Sequence, residues 1–172
     1  MATAKSWDSY MDTLLTVLDE MRPKTVLEYG TGKSSQVMAL YPSVELVFAI
    51  EHDKDWMQRL IAAPIYGLTI KLVENLDEYP FAFPKDTRFD LIFVDGKNRA
   101  ACMNASASFL NKHGVMILHD AQRPEYQEAI NVWPFKIWTD DGSTVCLMKN
   151  ELTYKRLSRV LESLKNVIGV RS

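Results

Sequence analysis

The sequence has few cysteines, little net charge and no long apolar run, and each shortage excludes a class of protein. Its two cysteines, Cys102 and Cys146, make no disulfide framework and fit a reducing compartment such as the cytoplasm. The net charge of −2 lacks the basic excess of nucleic-acid-binding proteins. No segment approaches the ~18 consecutive apolar residues of a membrane span. We therefore expect a soluble, cytoplasmic protein that binds neither nucleic acid nor membrane.

What the sequence does contain is the composition of one globular domain. Of its 172 residues, 47% are hydrophobic and 24% are charged, and there is no internal repeat or linker. Ser6 is the predicted cap of a first helix. We expect a single domain over residues 1–172, with an N-terminal helix over 6–22, a core over 24–149 and a C-terminal helix over 151–168.

Between the terminal helices, short apolar runs alternate with helical patterns, which is typical of an α/β protein. Two late runs flank the turn signal DDGS at residues 140–143 and predict an antiparallel hairpin. The predicted strands are residues 25–29, 45–50, 68–73, 90–95, 114–118, 135–139 and 144–148. Together they predict a three-layer α/β/α sandwich with a mostly parallel seven-stranded sheet and one antiparallel strand from the C-terminal hairpin.

The turn after the first strand, EYGTGKS at residues 28–34, has two interpretations. Its ending, Gly32-Lys33-Ser34, matches the end of a phosphate-binding P-loop, which needs the pattern G-x-x-x-x-G-K-[ST]. The position five before Gly32 is Leu27, so the leading glycine is missing. A nucleotide-binding enzyme that uses Lys33 is therefore a hypothesis with an incomplete motif.

The same turn also fits an adenosine-type cofactor. Gly30 and Gly32 match the dinucleotide fingerprint G-x-G-x-x-G, but Ser35 stands at its third glycine. Glu51 ends the second strand about 20 residues later, where a carboxylate accepts the ribose hydroxyls of a dinucleotide or of S-adenosylmethionine (SAM). Glu28 decides between these ligands, because a carboxylate at the mouth of the turn repels a pyrophosphate and attracts the ammonium group of SAM.

Further motifs follow the turn in a recognisable order. They are Glu51, residues 89–96 (FDLIFVDG), residues 114–120 (GVMILHD) and the closing hairpin. With the glycine turn, this order resembles the class I SAM-dependent methyltransferases, a Rossmann-like superfamily, over roughly residues 20 to 150. Within it, the sequence is similar to the small-molecule methyltransferase-like subgroup. The resemblance implies a SAM-dependent enzyme that methylates a small-molecule acceptor on oxygen or nitrogen.

Carried onto this sequence, the resemblance implies a cofactor site at the strand ends. A structural interpretation stays open beside it, because glycines can simply turn the chain and Glu51 can cap the helix that starts near Asp53. The implied cofactor-binding residues are Glu28, Gly30, Thr31, Gly32 and Ser34 at the methionine end, Glu51 and His52 at the ribose, Asn75 at the adenine and Asp95 at the methyl group.

Three candidate catalytic residues, Asp95, His119 and Asp120, end the fourth and fifth strands. Methyl transfer needs an in-line arrangement and a base for the acceptor proton. In catechol-type relatives, acids at the positions of Asp95 and Asp120 bind magnesium with a following asparagine, but Ala121 stands there in this sequence. A divalent cation on Asp95 and Asp120 is therefore not favoured. Asp120 could instead cap the following helix or pair with Arg123.

The acceptor site is the least determined part of the prediction. Lys97, Arg99 and Arg123 follow the strand ends and would either receive an anionic acceptor or remain solvated. Since the loops there are short, the acceptor must contact the N-terminal helix, residues 75–87 or a second subunit of a homodimer. The aromatic residues of that segment, Tyr79, Phe81 and Phe83, would form a lid or anchor the loop.

A third hypothesis is a non-catalytic module with this fold. The C-terminal helix is locally basic and could contact a partner, and no single residue is an unambiguous catalytic base. Such a module would bind the cofactor weakly or not at all.

Overall fold

The computed structural model describes residues 9–60, 64–139 and 142–168, built around a seven-stranded sheet. The strands are β1 (Thr25–Tyr29), β2 (Leu46–Glu51), β3 (Leu68–Leu72), β4 (Phe89–Val94), β5 (Leu110–His119), β6 (Phe135–Thr139) and β7 (Thr144–Met148). Their order across the sheet is β3-β2-β1-β4-β5-β7-β6, and β7 runs antiparallel to both β5 and β6. The other neighbouring strands are parallel. The predicted fold class is confirmed.

Six helices connect or flank these strands in the described part of the chain. They are α1 (Ser9–Met21), α2 (Lys33–Ala39), α3 (Lys54–Leu60), α4 (Arg99–Ser106), α5 (Gln127–Asn131) and α6 (Glu151–Ile168). Short 3-10 turns cover Tyr79–Phe81, Ala107–Phe109 and Pro124–Tyr126. None of the helices that the structure describes is long and apolar enough to cross a membrane. The predicted cap Ser6 and residues 140–141 of the hairpin turn lie outside the described residues.

Both faces of the sheet are covered, which explains why the central strands are continuously apolar in sequence. On one face, Leu14 of α1 packs in the same buried cluster as Leu157 and Leu161 of α6. On the other face, Met103 of α4 and Ile130 of α5 are fully buried. This is the three-layer arrangement expected from the alternation of strands and helices.

Strand β5 is longer than the sequence pattern indicates, because it begins at Leu110 and not at Gly114. Its pairing with β4 is irregular, since Phe89 pairs with Leu110 but Leu91 pairs with Val115. A Cβ atom on Gly114 would lie 2.8 Å from the carbonyl oxygen of Asp90. Gly114 is thus the point inside the strand where two backbones approach closely, and not a strand start.

The strand order creates a switch point between β1 and β4. From there the chain proceeds to β2 on one side and to β5 on the other, and ligands of such sheets bind at the carboxyl ends of the strands. Backbone hydrogen bonds fix these ends, since the Asp95 N–H donates to Tyr29 O over 2.9 Å and the Gly30 N–H donates to Ile50 O over 2.8 Å. The carboxyl ends of β1, β2 and β4 are therefore held in register.

At the opposite edge, Asp90 ties the amino ends of three strands together. Its Oδ2 accepts hydrogen bonds from the backbone N–H groups of Lys24 (2.9 Å) and Thr25 (3.2 Å), and its Oδ1 accepts one from Asn111 Nδ2 (2.7 Å). Burial raises the pKa of Asp90, but the hydrogen bonds from Asn111, Lys24 and Thr25 outweigh it and leave the pKa below its usual value. The ionised carboxylate therefore stabilises the folded state.

We expect Asp90→Ala to lower the free energy of unfolding by about 2 kcal/mol, because it removes charge-assisted hydrogen bonds to two neighbouring strands. A depressed carboxyl pKa contributes stability above the unfolded value, and that stability is lost as the pH falls through the folded value. Urea unfolding from pH 7 to pH 3 should therefore show a smaller acid-induced loss in the variant. An unchanged acid sensitivity would contradict the role of Asp90.

Candidate functional site

A cavity of about 820 Å³ opens at the carboxyl ends of β1, β2, β4 and β5. Most of the predicted site residues line it: Gly30, Thr31, Gly32, Ser34, Glu51, His52, Asp95, His119 and Asp120. Two of the predicted residues, Glu28 and Asn75, do not line it. The cavity thus brings together the predicted cofactor turn and all three candidate catalytic residues.

Two glycines hold the β1 and β4 turns in direct backbone contact. Gly30 has a left-handed φ of +86°, and a Cβ atom on it would lie 2.7 Å from Gly96 Cα. A Cβ atom on Gly96 would lie 2.8 Å from the backbone N of Gly30 and 2.2 Å from the Tyr79 hydroxyl. Only glycine fits at either position, so the loop that carries Asp95 lies directly against the glycine turn.

Glu28 is fully buried behind the turn and has one unsatisfied oxygen. Its Oε1 accepts a 2.5 Å hydrogen bond from the hydroxyl of Ser34, whereas Oε2 has no hydrogen-bond partner among the described residues. Burial raises the pKa of Glu28 to about 8, against the opposing effect of the Ser34 and Ser35 hydroxyls. Ser34 lines the cavity and connects this buried carboxyl to it.

Glu51 is nearly as buried as Glu28 but fully hydrogen-bonded. Its Oε2 accepts from the backbone N–H (2.8 Å) and hydroxyl (2.7 Å) of Thr31, and its Oε1 accepts from the N–H groups of His52 (2.7 Å) and Asp53 (2.9 Å). Burial raises the pKa of Glu51, but these bonds outweigh it and the pKa lies below its usual value. Glu51 therefore fixes the turn itself, and its predicted contact with a ribose stays a prediction.

His119 and Asp95 form a pair at the other end of the cavity. His119 Nδ1 lies 2.9 Å from Asp95 Oδ1, and no described residue is hydrogen-bonded to Nε2. The ring of Tyr10, from α1, packs over the imidazole with ring centroids 4.8 Å apart. A donated Nδ1–H leaves the lone pair on Nε2, so the geometry suits His119 as the base and Asp95 as the group that orients it.

Arg99, the first residue of α4, lies between the two strand-end acids. One of its amino groups pairs with Asp95 Oδ1 at 3.0 Å and the other with Asp120 Oδ2 at 3.2 Å. Its Nε donates to the carbonyl of Gly96 over 3.0 Å. The sequence suggested that Arg99 is either a solvated loop charge or a receptor for an anionic acceptor. The structure supports neither, because the N–H donors of its guanidinium are used within the protein.

Asp120 carries a second ion pair, with Arg123 at 2.8 Å, as one of the sequence hypotheses proposed. Its backbone is left-handed, with φ of +55°, and the oxygen that pairs with Arg123, Oδ2, is the same one that lies 3.2 Å from Arg99. The described residues contain no group of three or more histidine, cysteine, aspartate or glutamate side chains that could hold a metal ion. A cation between Asp95 and Asp120 would have to displace the guanidinium of Arg99.

The segment after β3 is anchored to the core. Tyr79 is fully buried and its hydroxyl donates to Ile50 O over 3.0 Å, while Phe83 is buried and Phe81 is exposed. This supports the anchoring interpretation for Tyr79 and Phe83 over an aromatic lid. Asn75 instead accepts a hydrogen bond from the Asp77 N–H and donates to Glu78, so its contact with adenine stays a prediction.

Sequence patterns did not identify two cavity residues, Tyr10 and Trp56. Trp56 of α3 donates from Nε1 to Thr31 O over 2.7 Å and thereby braces the glycine turn. Its position five residues after Glu51, on the first helix that follows, is the only sequence signal for it. Tyr10 lies far along the chain from the strand ends, and its only sequence signal was that the N-terminal helix was one of three candidates for contact with the acceptor.

Comparisons with solved structures identify the fold. No protein-family model matches the sequence, and no curated protein matches it. A methyltransferase-like protein from Silicibacter pomeroyi has a TM-score of 0.61 at 18% identity, over 87% of this chain and 93% of that chain. The N-methyltransferase NodS from Bradyrhizobium japonicum, in complex with S-adenosyl-L-homocysteine (SAH), has a TM-score of 0.56 at 13% identity, over 85% and 91%.

The chain has the class I SAM-dependent methyltransferase fold. A spermidine synthase from Thermotoga maritima is also similar, with a TM-score of 0.62 at 21% identity over 91% of this chain and 64% of that chain. Because proteins named for different reactions share the methyltransferase fold, the reaction of this chain must be inferred from its own site residues.

We expect Gly96→Ala to lower the free energy of unfolding by at least about 2 kcal/mol, because the new methyl group would overlap Tyr79 and the Gly30 backbone. Gly32→Ala is the matched control. Gly32 has an extended φ of −175°, and a Cβ atom there would meet nothing nearer than Ser34 Oγ at 3.8 Å. Gly32→Ala should therefore lower the free energy of unfolding by no more than about 1 kcal/mol. If urea unfolding shows the same loss of free energy for Gly96→Ala and Gly32→Ala, the close contact between the Gly30 and Gly96 backbones is contradicted.

The raised pKa of Glu28, about 8, predicts that stability falls as the pH rises from 5 to 8. Over this range the folded protein keeps a proton that the unfolded chain has released, so the slope approaches about 1.4 kcal/mol per pH unit. Glu28→Gln should remove this slope in urea unfolding. Glu45→Gln, at an exposed ion pair with Lys24, should keep it. If the free energy of unfolding depends on pH in the same way in wild type and Glu28→Gln, a buried neutral carboxyl at Glu28 is contradicted.

Proposed function

We propose that the protein is a SAM-dependent methyltransferase that acts on a small-molecule acceptor. The observation that carries the proposal is that the glycine turn and the His119–Asp95 pair open onto one cavity of about 820 Å³. This volume is typical of small-ligand sites, which range over ~300–1,000 Å³. One cavity therefore offers room for a cofactor beside a candidate base for the acceptor.

The residues of the turn fit SAM better than a phosphate-bearing cofactor. Burial keeps Glu28 protonated at neutral pH, and an ammonium group at the turn would favour its ionised form and satisfy the unpaired Oε2, whereas a pyrophosphate would not. A Cβ atom on Gly32 would meet nothing nearer than Ser34 Oγ at 3.8 Å, and Gly32 lines the cavity, so a ligand can approach the backbone there. When bound, SAM supplies a methyl group on a positively charged sulfonium.

His119 then acts as the general base. Its Nδ1–H donates to Asp95, which fixes the tautomer, and Nε2 removes the proton from an acceptor O–H or N–H as the acceptor attacks. Asp95 stabilises the imidazolium that forms. Such general-base catalysis contributes ~10²–10⁴-fold in rate. Tyr10 packs on the imidazole and limits the access of water to it.

The nucleotide hypothesis has weaker support. The turn between β1 and α2 comprises only residues 30–32, and Lys33 already begins α2. A P-loop needs a longer run of backbone N–H groups to surround phosphates. Lys33 nevertheless lines the cavity, so the deciding experiment includes ATP.

The test is calorimetric titration and thermal shift with SAM, SAH and Mg-ATP. We expect SAM and SAH to bind, and a ligand at 100 times its Kd adds about 2.7 kcal/mol of stability. Because the pKa of Glu28 is about 8, pairing its carboxylate with an ammonium at pH 7 should release nearly one proton. The apparent enthalpy should then differ between buffers of high and low ionisation enthalpy. Glu28→Gln should abolish that difference and weaken binding.

The catalytic part is tested with His119→Asn in an SAH-release assay over a panel of hydroxyl and amine acceptors. We expect unchanged SAM affinity and at least ~100-fold slower turnover. Glu51→Ala is unsuited to this purpose, because Glu51 holds the glycine turn through its hydrogen bonds to Thr31. If only Mg-ATP binds and Lys33→Ala abolishes this, the nucleotide hypothesis replaces the proposal. If none of the three ligands binds, the hypothesis of a non-catalytic module replaces the proposal.

A further inference from the structure

The guanidinium of Arg99 is nearly buried, with its side chain 10% exposed, and it joins the ends of β4 and β5. Besides its ion pairs with Asp95 and Asp120, it donates to three backbone carbonyls. Nε donates to Gly96 O over 3.0 Å, Nη2 donates to Asp95 O over 3.2 Å, and Nη1 donates to His119 O. All three nitrogens are therefore occupied by protein atoms on both strand ends.

Its two carboxylate partners need a cation between them. Asp95 and Asp120 end adjacent parallel strands, and two carboxylates in one site repel each other unless one is protonated or a positive charge lies between them. Arg99 supplies that charge at 3.0 Å from one and 3.2 Å from the other. Among the described residues, Arg123 forms an ion pair with Asp120 and none with Asp95, and its side chain is 49% exposed, so it does not neutralise both acids.

The same oxygen of Asp95 serves both Arg99 and the histidine. Oδ1 of Asp95 lies 3.0 Å from Arg99 Nη2 and 2.9 Å from His119 Nδ1. Nη2 is the atom of Arg99 that contacts the Asp95 carboxylate, and the planar guanidinium is itself fixed by its donation to three backbone carbonyls, unlike a mobile or hydrated cation. The direction of the Asp95–His119 hydrogen bond thus depends on Arg99.

We propose that Arg99 is the positioning residue of this site and stands where a divalent cation would otherwise bridge Asp95 and Asp120. It neutralises both acids, fixes Asp95 Oδ1 toward His119 Nδ1, and leaves Nε2 facing the acceptor. The proposal rests on the proposed function for the role of His119. It implies that turnover needs no added cation, and that removal of the guanidinium creates a cation site in its place.

The experiment compares wild type with Arg99→Ala and Arg99→Lys, and uses Arg123→Ala as the matched control at the exposed pair. Chelation with EDTA should leave wild-type turnover unchanged. Arg99→Ala should lower kcat by about 100-fold, because a small displacement of a catalytic group has that effect, while the Kd for SAM stays within threefold. It should also gain binding of Mn²⁺, measured by electron paramagnetic resonance, which wild type and Arg123→Ala lack.

A second readout needs neither turnover nor SAM. In ¹⁵N-labelled protein, His119 of wild type and of Arg123→Ala should show the single tautomer protonated on Nδ1, and Arg99→Ala should show a mixture. Arg99→Lys keeps the positive charge but lacks the planar guanidinium, so it should show a degree of tautomer mixing between those of wild type and Arg99→Ala. This variant also tests the proposal if Arg99→Ala does not fold.

Loss of wild-type turnover on chelation would overturn the proposal. So would an Arg99 variant that keeps the single tautomer and a kcat within threefold of wild type, or an Arg99→Ala protein that folds but binds no Mn²⁺. These outcomes are distinct from failure of the proposed function, which would appear as absent SAM binding in wild type with the His119 tautomer intact.

Discussion

The contact between Gly30 and Gly96 is the constraint on which the site depends. It brings the turn after β1 and the loop after β4 together without side chains between them, above the hydroxyl of Tyr79. Because of it, the glycine turn and the Asp95–His119 pair line one cavity, and the buried carboxyl of Glu28 lies behind that turn. A Cβ atom at either position would lie less than 3 Å from the backbone of the other.

Two glutamates at this switch point show how local hydrogen bonding decides the state of a buried acid. Glu28 and Glu51 are both almost inaccessible to solvent. Glu51 receives four hydrogen bonds, two of them from one threonine, and its pKa is lowered. Glu28 has an oxygen without a described partner and its pKa is raised. The difference leaves Glu51 as a fully hydrogen-bonded carboxylate and Glu28 as a buried carboxyl with an unsatisfied oxygen.

Much of the fold and part of the site followed from local sequence signals. Strand runs and the Asp-Gly turn predicted the sheet with its reversed strand, and the glycine turn predicted where the cavity would open. The predicted start of β5 was wrong, because a glycine such as Gly114 is typical of a turn, whereas Gly114 lies inside β5 where its pairing with β4 is irregular. The roles of Arg99, Tyr10 and Trp56 depend on side-chain packing between distant segments, which no local spacing encodes.

The ring over the histidine comes from α1, whereas the cofactor turn comes from β1 and α2. The two walls of the cavity are thus encoded in separate stretches of the chain. Substitutions around Tyr10 would change the surroundings of His119 and leave the hydrogen bonds that hold the glycine turn in place. Each wall of the cavity can therefore be altered independently of the other.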